Sequence, residues 1–232
     1  MLPTILLHGA LGSRAQLAPL AARLAPDRDA HPLELAGHGA TALPSEGVLR
    51  VDRLAEAILV QMDGAGISTA DFFGYSLGGY VALWLARHHP ERVRRIVTLA
   101  TKLHWTVGGA SREVEMLDPA TIRAKVPAFA ERLAATHVAI GWEELLGATA
   151  EMMTWMGENA PLTEETLRAI RHPVRLIVGD RDATVSVEEC VRARGWLADA
   201  ELEVLPRTPH PFERVPIERL AASVHEFLST DR

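Results

Sequence analysis

Short apolar runs that alternate with longer stretches of helical periodicity constrain the fold of this chain more than any other feature. Runs typical of strands lie at residues 4–8, 30–33, 70–75, 93–100, 174–179 and 201–205. Helical patterns are predicted to begin near Ser13, Arg50, Ser76, Val187 and Phe212, with Ser13 as an N-cap. This alternation is typical of an α/β protein with a mostly parallel sheet of about six strands and helices on both faces.

The segment 103–170 interrupts the alternation, because it contains no strand-like run and is predicted to form several short helices. Pro127 is expected to begin one of these helices. In "WEELLGATAEMMTWMG" the helical spacing puts one set of side chains on a single face: Trp142, Leu145, Leu146, Thr149, Met152, Met153 and Met156. We interpret 103–170 as a helical cap inserted into a core formed by 1–102 and 171–232.

Composition restricts the partners. The chain has 232 residues, a formal net charge of −6 and one cysteine, Cys190. Nucleic acid and anionic membrane surfaces are therefore not expected as partners, and neither is a disulfide framework, a metal site or another cofactor. No signal peptide or membrane-spanning run is expected, which favours a cytoplasmic location. The expected partner is a small-molecule substrate, and the oligomeric state, monomer or homodimer, is left open.

The sequence "GYSLG" at residues 74–78 matches G-x-S-x-G between a strand-like run and an amphipathic helix. In that context the pattern predicts a nucleophile elbow, a sharp strand-to-helix turn that exposes Ser76. Bulky residues two positions away on either side would collide in such a turn, which explains Gly74 and Gly78. The N–H groups and the positive end of the following helix would point at the serine oxygen.

A serine hydroxyl needs a general base, and His210 in "PRTPHPFERVP" follows the last predicted strand, where a loop can reach the sheet edge. "VGDRDATV" offers Asp180 and Asp182 as acids at the end of a strand. We favour Asp182, because Asp180 lies in the tight part of the turn and is expected to accept hydrogen bonds from N–H groups two or three residues further on. The N–H groups of Leu77 and Ala10 are predicted to form the oxyanion hole.

Six segments in this order resemble landmarks of the α/β-hydrolase fold superfamily: "LLHGALGS", "LELAGHGAT", "GYSLGGYVAL", "HHPERVRRIVTLA", "VGDRDATV" and "TPHPFERVP". The resemblance implies Ser76 as nucleophile, Asp182 as acid and His210 as base. It also implies Ala10 and Leu77 as oxyanion donors and a cap after the fourth strand. The chain departs from the family pattern in having no room for the usual N-terminal hairpin, in "LAGHGA", and in Pro209 before the base.

A serine at the elbow favours hydrolysis of an ester or thioester of a small to medium hydrophobic acyl group through an acyl-enzyme. A carbon–carbon hydrolase or a lyase resembling that of the menaquinone pathway, acting on an anionic acid, is an alternative that needs a cation such as Lys102, His104 or Arg14. A ligand-binding module with little turnover is a third possibility. The residues predicted to contact substrate are Leu11, Tyr75, Lys102, His104, Trp105 and Trp155, the last because it lies off the main stripe of its helix.

Overall fold

The computed structural model describes residues 3–44 and 46–230, and in these residues six strands form one sheet. The strands are β1 (Pro3–Leu7), β2 (Asp29–Leu33), β3 (Ala70–Tyr75), β4 (Val93–Leu99), β5 (Val174–Gly179) and β6 (Ala200–Leu205). Each lies within one residue of the apolar run that predicted it. The predicted six-stranded α/β architecture is therefore confirmed.

The strand order is β2-β1-β3-β4-β5-β6, and every neighbouring pair is parallel. The chain builds the sheet outward from β1 to β2 on one side and from β3 to β6 on the other. Where the order reverses, between β1 and β3, the loops that leave the two strands diverge and open a crevice at the carboxyl edge of the sheet. The loop after β1 and the turn that contains Ser76 both lie at this edge.

Helices cover both faces of the sheet, which is why the inner strands are mainly apolar, whereas the edge strands β2 and β6 also contain polar residues. The helices α1 (Ala18–Leu24) and α10 (Ile217–Ser229) pack on one face, where Leu6 and Phe73 belong to their core. The other face carries α2 (Val51–Gly64), α3 (Leu77–His88) and α9 (Val187–Trp196), with Ile5, Leu7 and Phe72 beneath them. Alternate residues of one strand therefore enter two separate cores.

In the described chain only helices lie between β4 and β5: α4 (Val107–Glu115), α5 (Pro119–Lys125), α6 (Pro127–Thr136), α7 (Trp142–Glu158) and α8 (Glu164–Arg168). Pro127 is the first residue of α6, as predicted. The predicted face of α7 is buried except at Met153, which is half-buried. The division into a core (1–102 and 171–232) and a cap (103–170) stays a prediction. Within the described ranges, no helix has the length and apolar character needed to cross a bilayer.

Ser13 precedes the first helical turn, as predicted, but its side chain makes no capping hydrogen bond. A 3-10 turn at Arg14–Leu17 follows Ser13, and α1 begins only at Ala18. The reason is Pro19, which lacks an N–H group and is tolerated only in the first turn of a helix. For the same reason α10 begins at Ile217, directly after Pro216, and not near Phe212, where another 3-10 turn (Phe212–Arg214) lies.

A buried carboxylate joins β3 to the C-terminal helix. Asp71 is fully buried, and its Oδ2 lies 2.8 Å from Nη1 of Arg28 and 2.6 Å from Nη2 of Arg94. The two guanidinium groups also donate to the end of α10, Arg28 to the hydroxyl of Ser229 and Arg94 to the carbonyl of Leu228. Since each charge has partners, the cluster can be buried without leaving an unpaired ion.

Candidate active site

Ser76 occupies a strained turn between β3 and α3. Its backbone has φ 51° and ψ −113°, in the left-handed half of conformational space that non-glycine residues avoid. Two hydrogen bonds hold it there: its N–H donates to the carbonyl of Leu99 across 2.8 Å, and its carbonyl accepts from the hydroxyl of Thr101 across 3.0 Å. Strain of this kind costs about 1–3 kcal/mol and persists only where the surroundings fix it.

The glycines around Ser76 are required by close backbone contacts. A Cβ at Gly74 would overlap the backbone of Gly78 and Gly79, and a Cβ at Gly78 would overlap the carbonyl of Leu7 at the end of β1. The missing side chains therefore let the first turn of α3 pack directly against β1. This close packing brings the N–H of Leu77, which begins α3, toward the loop that contains Ala10.

Asp182 and His210 are hydrogen-bonded at the carboxyl edge of the sheet. Oδ2 of Asp182 lies 2.8 Å from Nδ1 of His210, and the Asp182 side chain is completely buried. The other oxygen, Oδ1, accepts the N–H groups of Thr184 and Val185 at 2.8 and 2.9 Å. This carboxylate therefore has a fixed orientation, and it holds the imidazole with Nε2 left for other partners.

The expectation for Asp180 was wrong in detail. Asp180 makes no turn hydrogen bond two or three residues ahead in the described chain; Asp182 makes those bonds instead. Oδ1 of Asp180 accepts the N–H of Thr208 across 3.1 Å, two residues before His210. The cause is the close approach of the loop after β6, because a Cβ at Gly179 would overlap the carbonyl of Thr208.

Tyr75 positions the loop that contains His210. Its hydroxyl donates to the carbonyl of His210 across 3.0 Å, and its ring centroid lies 5.6 Å from that of the imidazole. Burial, with smaller effects of Glu213 and Asp182, raises the pKa of Tyr75 well above its ordinary value, so the phenol keeps the proton it donates. Tyr75, which directly precedes the predicted nucleophile Ser76, thus fixes the backbone of the predicted base His210.

Two buried histidines fix the loop that follows β1. Leu11 has φ 60°; its N–H donates to Nε2 of His38 across 3.3 Å, and its carbonyl lies 3.1 Å from Nε2 of His137. Nδ1 of His38 contacts the carbonyl of Ala36, and Nδ1 of His137 accepts from Gly39. Each ring therefore has one accepting and one donating nitrogen, which only the neutral form provides.

Electrostatics favour the same neutral state. Burial is the largest effect that holds the pKa of His38 well below the ordinary value of 6.5, and the neighbouring His8 lowers it further. Burial likewise lowers the pKa of His137. His8 itself is buried: its Nδ1 contacts the carbonyl of Gly9, and its Nε2 lies 2.8 Å from Oε1 of Glu34. His8 therefore braces the turn that follows β1.

Two spaces of unequal size meet at Ala10. The smaller, of about 30 Å³, is bounded by Ser76, Leu77, Tyr80, Lys102, Trp105, Met152, Met153 and Met156 together with Ala10. The larger, of about 530 Å³, lies between α6 and a wall formed by Tyr75, by residues 10–13, 15 and 16, and by His210, Pro211 and Glu213. We refer to them as the methionine pocket and the α6 cavity. Ser76 and His210 thus border neighbouring spaces.

The predicted substrate-contacting residues separate into two groups. Leu11 and Tyr75 line the α6 cavity, and Lys102 and Trp105 line the methionine pocket. His104 is exposed, lines neither space, and uses its N–H to bond Glu189. Trp155 also lines neither space, because it packs beneath the guanidinium of Arg50, which lies 4.2 Å from its ring. Trp155 does lie off the main stripe of α7, but it is half-buried against Arg50 and not directed into either space.

Sequence reasoning missed the polar lining of the α6 cavity, which includes Gln16, Arg132 and Thr136. A signal for part of it was present. Phe129, Arg132, Leu133 and Thr136 follow i, i+3, i+4, i+7 spacing, and all four face the cavity. Because this stripe combines polar and apolar residues, hydrophobic periodicity alone does not reveal it.

Comparison with known proteins identifies the family, since the model of the alpha/beta hydrolase fold matches residues 3–158. The chain belongs to the α/β-hydrolase fold family. This α/β-hydrolase is 26% identical over 245 residues to a 2-hydroxymuconate semialdehyde hydrolase of Pseudomonas putida, which covers 98% of the chain and 87% of the relative. It is 34% identical over 96 residues to a pimeloyl-[acyl-carrier protein] methyl ester esterase of Neisseria meningitidis, covering 41% of the chain and 35% of the relative.

The fold of the hydrolase is also similar to that of NosK from Streptomyces actuosus, with a TM-score of 0.82 at 21% identity, over 98% of this chain and 97% of that one. Its relatives are named as hydrolases and esterases, and the chain is an enzyme of this class. The comparisons therefore favour an enzyme over the alternative of a ligand-binding module with little turnover.

Proposed function

We propose that this hydrolase cleaves carboxylic esters or thioesters through an acyl-enzyme on Ser76. The observation that carries the proposal is the 2.8 Å hydrogen bond between buried Asp182 and Nδ1 of His210, at the sheet edge to which β3 brings Ser76. A carboxylate on Nδ1 fixes the tautomer whose free Nε2 can accept a proton, and it stabilises the imidazolium that results.

The proposed reaction has two halves. Oγ of Ser76 attacks the carbonyl carbon while Nε2 of His210 takes the hydroxyl proton, and the N–H groups of Ala10 and Leu77 stabilise the oxyanion. The bond to the leaving oxygen or sulfur then breaks, and the proton on Nε2 moves to that atom. His210 then deprotonates a water that attacks the acyl carbon, and as the bond to Oγ breaks the proton on Nε2 returns to Oγ, which releases the carboxylic acid and restores Ser76.

The test combines turnover with covalent labelling. Wild-type protein is expected to hydrolyse 4-nitrophenyl acetate and to react with a fluorophosphonate at Ser76, and Ser76→Ala to lose both activities while unfolding at the wild-type temperature. Ser111→Ala is the matched control, since Ser111 is exposed on α4 and its hydroxyl bonds only its own helix. Full turnover by Ser76→Ala, or labelling at another residue, contradicts the proposal.

A second candidate is carbon–carbon bond hydrolysis of an anionic diketo acid, favoured by similarity over 98% of the chain to a 2-hydroxymuconate semialdehyde hydrolase. Such a substrate needs a cation near Ser76. Nζ of Lys102 is the cation of the methionine pocket, but it lies 3.3 Å from Oε1 of Glu113 and 3.2 Å from the carbonyl of Thr184. A charge neutralised in this way attracts an anion weakly, so we rank the ester reaction first. Faster turnover of a diketo acid than of any ester would reverse the ranking.

A further inference from the structure

The two spaces at Ala10 differ in volume and in the polarity of the residues that line them. The methionine pocket has a volume of about 30 Å³, enough for about two water-sized groups, and its walls are mainly methionine and aromatic side chains. The α6 cavity has about 530 Å³, within the range of sites that hold drug-sized ligands. An ester divides into two parts at its carbonyl carbon, so each part must enter one of these spaces.

The position of His210 decides which part enters which space. When the tetrahedral intermediate on Ser76 collapses, the proton on Nε2 of His210 must reach the leaving oxygen as its bond to the carbonyl carbon breaks, so the leaving group has to lie on the His210 side of the carbonyl. His210 lines the α6 cavity, whereas Ser76 and Leu77 line the methionine pocket. The acyl chain is then directed away from His210, toward the methionines.

We propose that the substrates of this enzyme are esters in which a short, uncharged acyl group of about two to three carbons is joined to a large alcohol with polar groups. This inference rests on the proposed ester hydrolysis and adds the substrate class. The methionine pocket disfavours an acyl carboxylate because its one cation, Lys102, is already paired with Glu113 in the described structure. Met152 and Met156 are each only 1% exposed, so their packing limits the length of the acyl chain.

The α6 cavity offers polar partners to the alcohol part. Gln16 and Glu213 both line this cavity, where Nε2 of Gln16 donates to Oε1 of Glu213 across 3.1 Å. The Arg132 guanidinium lies 5.1 Å from the Phe129 ring at the cavity wall, and within residues 3–44 and 46–230 it forms no ion pair. An acceptor or anionic group of the alcohol part would pair with Arg132.

Two isomeric esters test the assignment, because they contain the same atoms and place the bulk on opposite sides of the carbonyl. 2-Phenylethyl acetate has the short acyl group and the large alcohol; ethyl phenylacetate has the reverse. We expect kcat/KM to be higher for 2-phenylethyl acetate by about tenfold or more, since a misplaced ring must displace buried methionines. Equal values, or a preference for ethyl phenylacetate, overturn the assignment.

Substitution of Met153 tests whether the methionine pocket limits the length of the acyl chain. Met153→Ala removes the half-buried methionine of the pocket and is expected to reduce the preference for 2-phenylethyl acetate at least threefold, by improving turnover of ethyl phenylacetate. Met116→Ala is the control, because Met116 is 59% exposed and lies outside both spaces. An unchanged preference in Met153→Ala overturns the assignment of the acyl group to this pocket.

Arg132→Gln is expected to lower kcat/KM for 4-acetoxybenzoate about tenfold relative to phenyl acetate, because only the former carries an anion into the α6 cavity. An equal effect on both esters overturns the role of Arg132. Failure of the proposed function gives a different result: no ester, including 4-nitrophenyl acetate, is hydrolysed, and Ser76 is not labelled. That result overturns the substrate class as well.

Discussion

The Nε2–H of His137, which follows α6, donates to the carbonyl of Leu11 across 3.1 Å and so attaches the roof of the α6 cavity to the loop that contains Ala10. The other nitrogen of the same ring accepts the N–H of Gly39 across 3.0 Å. A shift of α6 is therefore transmitted to the backbone next to the proposed oxyanion donor. His137 contacts no reacting atom and acts as a positioning residue.

His137→Ala is expected to lower kcat for 4-nitrophenyl acetate about tenfold or more, with a smaller change in KM, because Ala10 no longer has a fixed position when the oxyanion forms. His137→Gln retains an N–H donor of similar reach and should recover part of the loss. Steady-state kinetics of both variants provide the measurement. A loss of thermal stability with kcat unchanged would show that His137 supports only the fold.

Stability is expected to depend on pH through His38. Because the pKa of His38 is held below 6.5 in the folded chain, the unfolded chain binds a proton first as pH falls, and the free energy of unfolding decreases below about pH 6.5. A fully shifted histidine gives a slope approaching about 1.4 kcal/mol per pH unit. Urea unfolding at pH 7.5 and 5.5 measures the slope, which should be smaller in His38→Gln. Identical slopes in the two proteins would contradict this role.

The two aspartates after β5 should separate into distinct functions. Asp182→Asn is expected to reduce turnover of 4-nitrophenyl acetate by roughly 10⁴-fold, since an amide cannot hold His210 in the tautomer that accepts a proton. Asp180→Ala removes one hydrogen bond to Thr208 and should cost about 1 kcal/mol of stability with most activity retained. Turnover and thermal unfolding of both variants decide the matter; collapse of activity in Asp180→Ala alone would transfer the orienting role to Asp180.

Asp71→Ala should destabilise the fold by about 3–5 kcal/mol, because it leaves Arg28 buried without its carboxylate. Asp63→Ala is the matched control: Asp63 pairs with Arg92 at 2.6 Å, but its side chain is 66% exposed, and such pairs contribute about 1 kcal/mol or less. Denaturant unfolding compares them. An equal decrease in the free energy of unfolding in both variants would show that the buried ion pairs of Asp71 contribute no more than the exposed pair of Asp63.

The fold was predictable because its signals are local. The inner strands of a sheet covered on both faces are short, mainly apolar runs, and the elbow needs glycines at fixed positions beside Ser76. The start of α1 was missed although its cause, Pro19, is also local. The family and the six-stranded parallel sheet followed from these patterns and are confirmed.

The site was less predictable because its contacts join distant segments. The association of His38 and His137 with Leu11 depends on three loops meeting above the sheet, and single histidines in a sequence give no sign of it. Asp180 was expected to bond within its own turn, and its partner Thr208 lies 28 residues away. The residues proposed for catalysis remain predictions whose positions are compatible with their roles.

The helical segment between β4 and β5 leaves and rejoins the sheet on adjacent strands. The N–H of Ala100 donates to the carbonyl of Ile177 across 2.8 Å, and the N–H of Ile96 to the carbonyl of Pro173 across 3.1 Å, so the two junctions are already joined by the backbone of the sheet. An exchange of the intervening residues for those of another family member would leave both ends in register. Ser76 precedes the exchanged segment, and Asp182 and His210 follow it. A chimera made by this exchange would keep the catalytic residues of this enzyme. Its preference among esters would change toward that of the protein that supplied the helical segment.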